Sequence, residues 1–205
     1  MTSLRRFTGA IQRALADLLV PHEASGGYDR FERLYARRPD PWGGAVLERA
    51  RRKYEWLGGV LRAHAPYESI LDVGCGEGLF SRQLRALSPR VVGVDVSLTA
   101  VRRARQLVPD ATFVNASLEE LELSKAFDLV TAVEMLYYVR SPEEALEKLK
   151  GLGRNVFLSY TDRDCERLDS MVDRHLRGHQ RTVDRLAGGG GDVVAILYRP
   201  DGSPG

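Results

Sequence analysis

A glycine-rich turn follows the first strongly apolar segment of the chain. The turn reads Gly-Cys-Gly-Glu-Gly over 74–78, between an apolar run that ends at Val73 and a helix-like stretch that begins at Leu79. Such a turn lets a ligand approach the backbone closely and directs backbone N–H groups and a helix N-terminus at it. The sequence therefore predicts a cofactor site here. We assign to it Asp72, expected to hold the amides of the turn, and Gly74, Cys75, Gly76 and Gly78.

The next apolar run ends in an acidic residue, Asp95. It lies seventeen positions after Gly78, where a carboxylate can accept both hydroxyls of a ribose. A dinucleotide-binding fingerprint would need a third glycine at the position of Leu79. The pattern therefore favours a nucleoside cofactor other than a nicotinamide dinucleotide, with Asp95 and Val96 as further binding residues.

Short apolar runs alternate with helical segments from residue 69 onward, and one of these helical segments is predicted at 117–123. Runs of Val, Ile, Leu and Phe suit strands that are buried on both faces. The alternation predicts an α/β fold with a Rossmann-like, doubly wound and mostly parallel sheet. The last two extended runs, separated by four glycines, predict a C-terminal antiparallel hairpin, with a single final strand as the alternative.

The N-terminal part of the chain has helical periodicity without the strand pattern. Gly and Pro interrupt it at 25–27 and at 37–44, where they end a helix. We expect residues 1–64 to form an N-terminal helical cap within the same domain. Residues 65–200 then form the cofactor-binding core, and residues 201–205 form a tail.

Composition excludes several classes of protein. Of 205 residues, 43% are hydrophobic and 28% are charged, as in globular chains and unlike disordered or collagen-like ones. The formal net charge of +2 does not favour nucleic acid as a partner, and no apolar run is long enough to span a membrane. Two cysteines 90 positions apart indicate free thiols in the cytoplasm. We expect a monomer or a homodimer.

The order of these motifs resembles that of the class I S-adenosylmethionine (SAM) dependent methyltransferases. The turn at 74–78 resembles motif I of that family, and Phe-Asp-Leu-Val-Thr-Ala-Val-Glu-Met-Leu-Tyr-Tyr-Val over 127–139 resembles the motif after its fourth strand. The resemblance implies SAM as the cofactor, with Asn115, Ala116 and Ser117 at the adenine edge. It also implies methyl transfer, for which positioning of the nucleophile supplies much of the catalysis.

Features of the N-terminal region resemble the nodulation N-methyltransferases, which methylate the free amine of an amino sugar. They include Tyr35, a Pro-Asp-Pro-Trp segment over 39–42 and Glu-Arg-Ala-Arg-Arg-Lys-Tyr over 48–54. The resemblance implies a small-molecule acceptor with an amine or a hydroxyl, an amino sugar or secondary metabolite being favoured. It further implies that Trp42 and Tyr54 form aromatic walls for the sulfonium, and that Arg51 or Arg52 is available to a carboxylate.

Candidate catalytic residues follow the fourth predicted strand. Glu134 could hold the amino group of the methionine part of SAM or accept a proton from the acceptor, and Tyr138 could line the acceptor. His22 could act as a general base if the cap folds over the pocket, or it could offset the dipole of the first helix. No metal is expected, because His175 and His179 lack a third ligand.

Two other functions remain open on the sequence. Residues 1–63 contain twelve Lys and Arg against seven Asp and Glu, which motivates an RNA or protein methyltransferase as an alternative. A SAM-binding module without catalysis is the second alternative. Methylation of exocyclic base nitrogens is disfavoured, because the [DNS]-P-P-[YF] turn of those enzymes is absent after the fourth strand.

Overall fold

One sheet of seven strands forms the centre of the computed structural model, which describes residues 27–122, 127–161, 165–177, 180–184 and 193–199. The strand order is β3-β2-β1-β4-β5-β7-β6. The strands are β1 (Ile70–Val73), β2 (Val91–Asp95), β3 (Thr112–Asn115), β4 (Phe127–Val133), β5 (Gly153–Thr161), β6 (Gln180–Asp184) and β7 (Val193–Tyr198). β1 to β5 run parallel, and β7 is antiparallel to both β5 and β6. The predicted mostly parallel sheet with a C-terminal hairpin is confirmed.

Helices begin where side chains or proline favour a helix start. Ser97 and Ser141 accept hydrogen bonds from the backbone N–H groups of Ala100 and Glu144, and Pro142 occupies a first-turn position where its missing N–H costs nothing. The helices are α1 (Asp29–Arg37), α2 (Glu48–Arg62), α3 (Leu79–Leu84), α4 (Leu98–Leu107), α5 (Pro142–Leu152) and α6 (Cys165–His175), and Leu136–Tyr138 is a 3-10 turn.

Helices cover both faces of the sheet. Consecutive strand residues point to opposite faces, so Leu71 packs in the cluster that includes Leu146 of α5, whereas Ile70 packs in the cluster with Leu57 and Leu61 of α2. All five of these side chains are fully buried. The near-continuous apolar strands of the sequence are therefore explained by burial on both sides.

The order in which the strands are added to the sheet reverses between β1 and β4. From β1 the chain continues to β2 and β3 on one side, and it then returns to β4 and β5 on the other. Val73 is paired with Val94 of β2 and Ala132 of β4, so the carboxyl ends of three strands lie at the same edge. A crevice at such a switch point is where open α/β sheets bind ligands.

The structure describes part of the predicted N-terminal helical cap. α1 and α2 belong to the predicted helical cap, whereas the helix predicted within residues 1–26 lies outside the described residues.

The segment after β3 is not helical as predicted. The helix predicted from 117 is wrong for residues 117–122, because the Ser117 N–H donates to Glu120 Oε2 at 2.7 Å in a tight turn. So short a segment gains few helical hydrogen bonds, and the turn buries Leu118 and Leu121. None of the described helices combines the length and apolarity needed to cross a bilayer.

A buried carboxylate ties β1 to its neighbours. Asp72 is 2% exposed and accepts hydrogen bonds from Ser81 Oγ of α3 at 2.5 Å and from Thr131 Oγ1 of β4 at 2.8 Å. The expectation that Asp72 would hold the amides of the glycine turn is wrong, because the N–H groups of 74–76 donate to Val94 and Asp95 of β2 instead. Burial raises the pKa of Asp72 to about 6, since neutral hydroxyls compensate only part of the lost hydration.

We expect Asp72→Asn to change how stability depends on pH. The folded protein holds the proton of Asp72 more tightly than the unfolded chain, so protonation favours folding, and this contribution is lost as the pH rises through about 6. Relative to Asp72→Asn, the unmodified protein should gain on the order of 1–3 kcal/mol of unfolding free energy between about pH 7 and about pH 4.5. Urea titrations at the two pH values measure this difference.

Asp110→Asn is the control of opposite sign. A hydrogen bond from Arg85 lowers the pKa of the exposed Asp110, so its contribution to stability is present at neutral pH and is lost as the pH falls. The raised pKa of Asp72 would be contradicted if the difference in unfolding free energy between the unmodified protein and Asp72→Asn did not change with pH. A change in the same direction as that of the control would contradict it too.

Candidate active site

A cavity of about 430 Å³ lies at the carboxyl edge of the sheet. Its walls come from the ends of β1, β2 and β4 and from the cap helices α1 and α2 with the loop between them. The predicted site residues that line it are Trp42, Tyr54, Asp72, Gly74, Cys75, Gly76, Asp95, Val96, Ala116, Glu134 and Tyr138. The structure therefore brings most of the predicted cofactor residues to one cavity.

The glycine turn provides close approach rather than free amides. The N–H groups of Gly74 and Cys75 both donate to Val94 O, at 2.8 and 3.0 Å, and the Gly76 N–H donates to Asp95 Oδ2 at 2.8 Å. The prediction that the turn directs these N–H groups at a ligand is therefore wrong, because the neighbouring strand satisfies them. Gly74 and Gly76 have φ of +71° and +53°, a backbone conformation that favours glycine.

Gly78 serves helix packing and does not line the cavity. Its φ is +82°, and a Cβ at this position would lie 3.1 Å from Ala104 Cβ and 3.4 Å from Phe113 Cζ. The missing side chain lets the start of α3 lie close to α4. Its assignment to the cofactor thus finds no support in its position.

Asp95 places a buried carboxylate at the end of β2. It is 8% exposed, and its two oxygens accept the N–H groups of Gly76 at 2.8 Å and Ser97 at 2.9 Å. Each oxygen keeps a further lone pair for a ligand donor. Burial raises the pKa of Asp95 to about 6, against the opposing effect of the two backbone hydrogen bonds.

The three residues assigned to the adenine edge have different positions. Ala116 lines the cavity. Asn115 instead donates from Nδ2 to Asp95 O at 3.0 Å, and Ser117 belongs to the turn closed by Glu120. Asn115 therefore supports the strand end that carries Asp95, and of the three only Ala116 lies where it could contact a ligand in this cavity.

Glu134 is held at the end of β4 in an unusual backbone conformation. Its φ is +57°, and its N–H donates to Ser159 O at 2.8 Å. Its Oε2 lies 3.2 Å from Lys53 Nζ and accepts a hydrogen bond from Tyr137 Oη at 3.1 Å. A non-glycine residue in this region of φ and ψ is strained, and such strain concentrates at functional sites.

Lys53 is a cavity residue that the sequence prediction missed. The prediction named Arg51 and Arg52, but both are exposed, and Arg51 pairs with Glu48 and Glu55 on the helix surface. Lys53 lies three positions after Ala50 and four before Leu57, and so on the buried stripe of α2. A cation on an apolar helical stripe was the signal that could have identified it.

Aromatic side chains of the cap and core meet over the cavity. Trp42 Nε1 donates to Tyr35 Oη at 2.9 Å, and the Tyr138 ring lies 5.5 Å from that of Trp42 and 5.6 Å from that of Phe31. Tyr54 contacts Phe80, with ring centroids 5.8 Å apart. These rings give the cavity walls suited to apolar or cationic ligands.

Two acidic side chains are among the polar groups that hold the cap on the core. Glu32 of α1 accepts from Ser97 Oγ at 2.7 Å and from the Thr99 N–H at 3.1 Å, which satisfies the N-terminus of α4. The Asp40 N–H donates to Glu77 Oε2 at 2.8 Å, so the cap loop is tied to the glycine turn. Neither contact was predicted from the sequence.

The histidine predictions find no site in the described residues. His22 and His179 lie outside them. His175 is at the surface, where its Nδ1 lies 2.9 Å from Glu147 Oε1. Among the residues that the structure describes, no cluster of His, Cys, Asp and Glu could hold a metal ion.

A mostly parallel, doubly wound sheet with antiparallel C-terminal strands, an acid at the end of β2 and a cavity at the switch point is typical of the class I methyltransferase fold. The chain belongs to the methyltransferase-domain family, whose sequence profile matches residues 46–191. This membership confirms the class predicted from the order of the motifs.

Curated relatives match part of the chain. Nodulation protein S of Sinorhizobium fredii is 27% identical over 138 residues, which cover 62% of this chain and 64% of that protein. The mitochondrial ubiquinone biosynthesis O-methyltransferase of Schizosaccharomyces pombe is 34% identical over 100 residues, which cover 43% and 36%. The chain thus spans less than two-thirds of the length of either relative.

Solved structures share the fold. N-methyltransferase NodS from Bradyrhizobium japonicum WM9, in complex with S-adenosylhomocysteine (SAH), has a TM-score of 0.72 at 20% identity, covering 84% of this chain and 97% of that one. The 1,6-didemethyltoxoflavin-N1-methyltransferase of Burkholderia thailandensis has a TM-score of 0.65 at 16% identity, covering 84% and 86%. The predicted likeness to nodulation-type methyltransferases is confirmed at the level of family and fold.

Gly76→Ala should destabilise the protein by roughly 1–3 kcal/mol, because an alanine at this positive φ is strained. Its Cβ would also lie 2.8 Å from Tyr35 Oη. In a Tyr35→Phe background, where that oxygen is absent, the same substitution should cost less. Chemical denaturation of the four proteins of this double-mutant cycle measures both costs.

Gly59→Ala is the matched control. Gly59 lies within α2, and a Cβ there would meet nothing within 4 Å, so alanine should be neutral or stabilising by up to about 1 kcal/mol. Equal effects of the substitutions at positions 59 and 76 would show that the turn does not require glycine.

Proposed function

We propose that the protein is a SAM-dependent methyltransferase that transfers a methyl group to an amine or a hydroxyl of a small molecule. The observation that carries the proposal is Asp95, a buried carboxylate at the end of β2 that lines the cavity beside Gly76. Ribose hydroxyls are donors that suit its remaining lone pairs, and such charge-assisted hydrogen bonds are strong.

The residues present also fit the other parts of SAM. Val96 and Ala116 give an apolar lining near the ends of β2 and β3, which suits an adenine ring. Trp42 and Tyr54 line the same cavity from the cap, and aromatic faces attract a sulfonium. Bound SAM would supply the electrophilic methyl group, while these residues orient it and exclude water.

A small-molecule acceptor is supported by the walls of the cavity. The rings of Phe31 and Tyr138 line it and are available as apolar walls for a compact acceptor. Two of the similar proteins are named for ubiquinone biosynthesis and for didemethyltoxoflavin. We favour an amino sugar or a secondary metabolite.

Two basic residues of the cap, Arg51 and Arg30, are paired within the chain and give no support to an RNA acceptor. Arg51 pairs with Glu48 and Glu55, and Arg30 Nη2 donates to Tyr138 O at 3.0 Å. These charges are therefore used within the chain. A cytoplasmic monomer or homodimer is part of the proposal, and the buried free thiol of Cys75 suits a reducing compartment.

Incubation with methyl-labelled SAM tests the proposal. The acceptor panel contains glucosamine, deacetylated chitooligosaccharides, catechols, aliphatic amines and total RNA. Label transferred to a small molecule, with stoichiometric formation of SAH, is the expected result. Label in RNA alone would contradict the acceptor class, and SAM binding without transfer to any member of the panel would indicate a non-catalytic module.

Asp95→Ala should weaken SAH binding by about 1–3 kcal/mol, because the charge-assisted hydrogen bonds to the ribose are lost. Isothermal titration calorimetry measures the change. Asp110→Ala, which removes an exposed carboxylate from the protein surface, is the control and should leave the affinity unchanged. Unchanged affinity in Asp95→Ala would refute the ribose assignment.

The affinity for SAH should fall as the pH drops below 6. The ribose hydroxyls donate to the ionised form of Asp95, whose pKa is about 6 in the ligand-free protein, so binding at lower pH must expel a proton. The dissociation constant should then rise toward about tenfold per pH unit. Asp95→Ala should show a flatter profile between about pH 7 and about pH 5, and parallel profiles would contradict the assignment.

A further inference from the structure

A second cleft adjoins the cavity at the carboxyl edge of the sheet. Its volume is about 540 Å³, and Tyr28, Leu118 and Tyr138 line both spaces. The first cavity, of about 430 Å³, lies toward the lower end of the range of roughly 300–1,000 Å³ that small-ligand sites cover, and the proposed SAM has to occupy it. An acceptor that extends beyond its reacting group would therefore pass these three residues and enter the second cleft.

More basic than acidic side chains line the second cleft. The three basic and two acidic residues are Arg30, Arg140, Lys148, Glu119 and Glu144. One of the acids is engaged, because Glu119 Oε1 accepts a hydrogen bond from Tyr28 Oη at 2.6 Å. An excess of positive charge in a concave site attracts anions, so the cleft suits a ligand with an anionic group.

The charges of Arg30 and Arg140 act at the boundary between the two spaces. Arg30 is 8% exposed, and its Nη2 donates to Tyr138 O at 3.0 Å. Burial and a neighbouring carboxylate raise the pKa of Tyr28, whereas the positive charges of Arg140 and Arg30 oppose the rise. Both guanidinium groups therefore lie near the point where the cavity meets the cleft, and Arg30 holds Tyr138 in place there.

Arg140 and Lys148 can supply hydrogen-bond donors to an anion in the cleft. Arg140 is exposed, whereas Lys148 is half-buried on α5, with its Nζ 3.5 Å from Glu119 O. That distance is long for a hydrogen bond between nitrogen and oxygen, so a charged oxygen would be a better partner for Nζ. A planar guanidinium fits two oxygens of a carboxylate or a phosphate, and an ammonium adds a compact charge.

We propose that the second cleft binds a carboxylate or phosphate group of the acceptor, with Arg140 and Lys148 donating to its oxygens. This inference rests on the proposed function and narrows it: the acceptor is a small molecule that carries an anionic group besides the amine or hydroxyl to be methylated. The cleft holds the anion while the nucleophile lies in the first cavity, and the two contacts together orient the acceptor. Neither Arg140 nor Lys148 lines the first cavity, so cofactor binding does not depend on them.

Three amino sugars that differ in one substituent test the inference. Glucosamine has a neutral hydroxymethyl group, glucosamine 6-phosphate carries a phosphate at that position, and 2-amino-2-deoxyglucuronate carries a carboxylate. Calorimetric titration of the SAH-bound protein in a phosphate-free buffer should show at least one anionic sugar binding about tenfold or more tighter than glucosamine. The tighter of the two anionic sugars identifies the group as a phosphate or a carboxylate.

Substitutions in the cleft should remove this preference. Arg140→Met and Lys148→Met should each weaken binding of the favoured anionic sugar by about fivefold or more, and leave glucosamine and SAH within about twofold. Lys150→Met, which removes a cation from the surface of the same helix α5, and Arg51→Met, on the exposed face of α2, are matched controls. Both controls should leave all of these affinities unchanged.

The inference is overturned if neither anionic sugar binds the unmodified protein more tightly than glucosamine does, or if the two cleft variants keep the full preference. Equal weakening of SAH, glucosamine and the anionic sugar in the cleft variants would overturn it too, since that result indicates general damage. Failure of the proposed function has a different signature: the unmodified protein would bind no SAH, whatever the anionic sugars do when they are titrated without it.

Discussion

The alignment of three parallel strand ends is the constraint on which the candidate site depends. Val73 is paired with Val94 and Ala132, so the glycine turn, Asp95 and Glu134 leave the sheet at nearly the same level. The reversal of strand order between β1 and β4 opens a crevice at that level. The register of the sheet therefore brings together residues that lie far apart in the sequence, and no ligand is needed to do so.

Burial of charge governs what the site can do. Asp72 and Asp95 lie in low-dielectric surroundings that raise the pKa of both carboxyls, yet their hydrogen bonds serve different ends. Both oxygens of Asp72 accept hydroxyls of the framework, and Asp95 holds the glycine turn while it lines the cavity. Glu134 shares its charge with Lys53 and retains an oxygen without a donor from the described residues. Asp95 and Glu134 are the carboxylates of this cavity that we propose as ligand contacts.

Much of the fold and many residues that line the candidate site could be predicted from the sequence, because both depend on local patterns. Apolar runs and helical segments gave the sheet, and Asp95 was found because it ends a strand at a fixed spacing from the turn. The amides of Gly74 and Gly76 were misjudged, since their partners lie on β2. Lys53 was missed because its partner, Glu134, lies far along the chain, and only the fold brings the two together. Glu32 and Glu77 hold the cap through partners distant in sequence, which periodicity does not reveal.

A crystal structure of the protein with SAH tests the central claim most directly, because it shows ligand position without knowledge of the acceptor. We expect the ribose hydroxyls on Asp95 and the rest of the ligand across Gly74 and Gly76, in the cavity that these residues line. SAH bound elsewhere, or in this cavity with its ribose away from Asp95, would contradict the account.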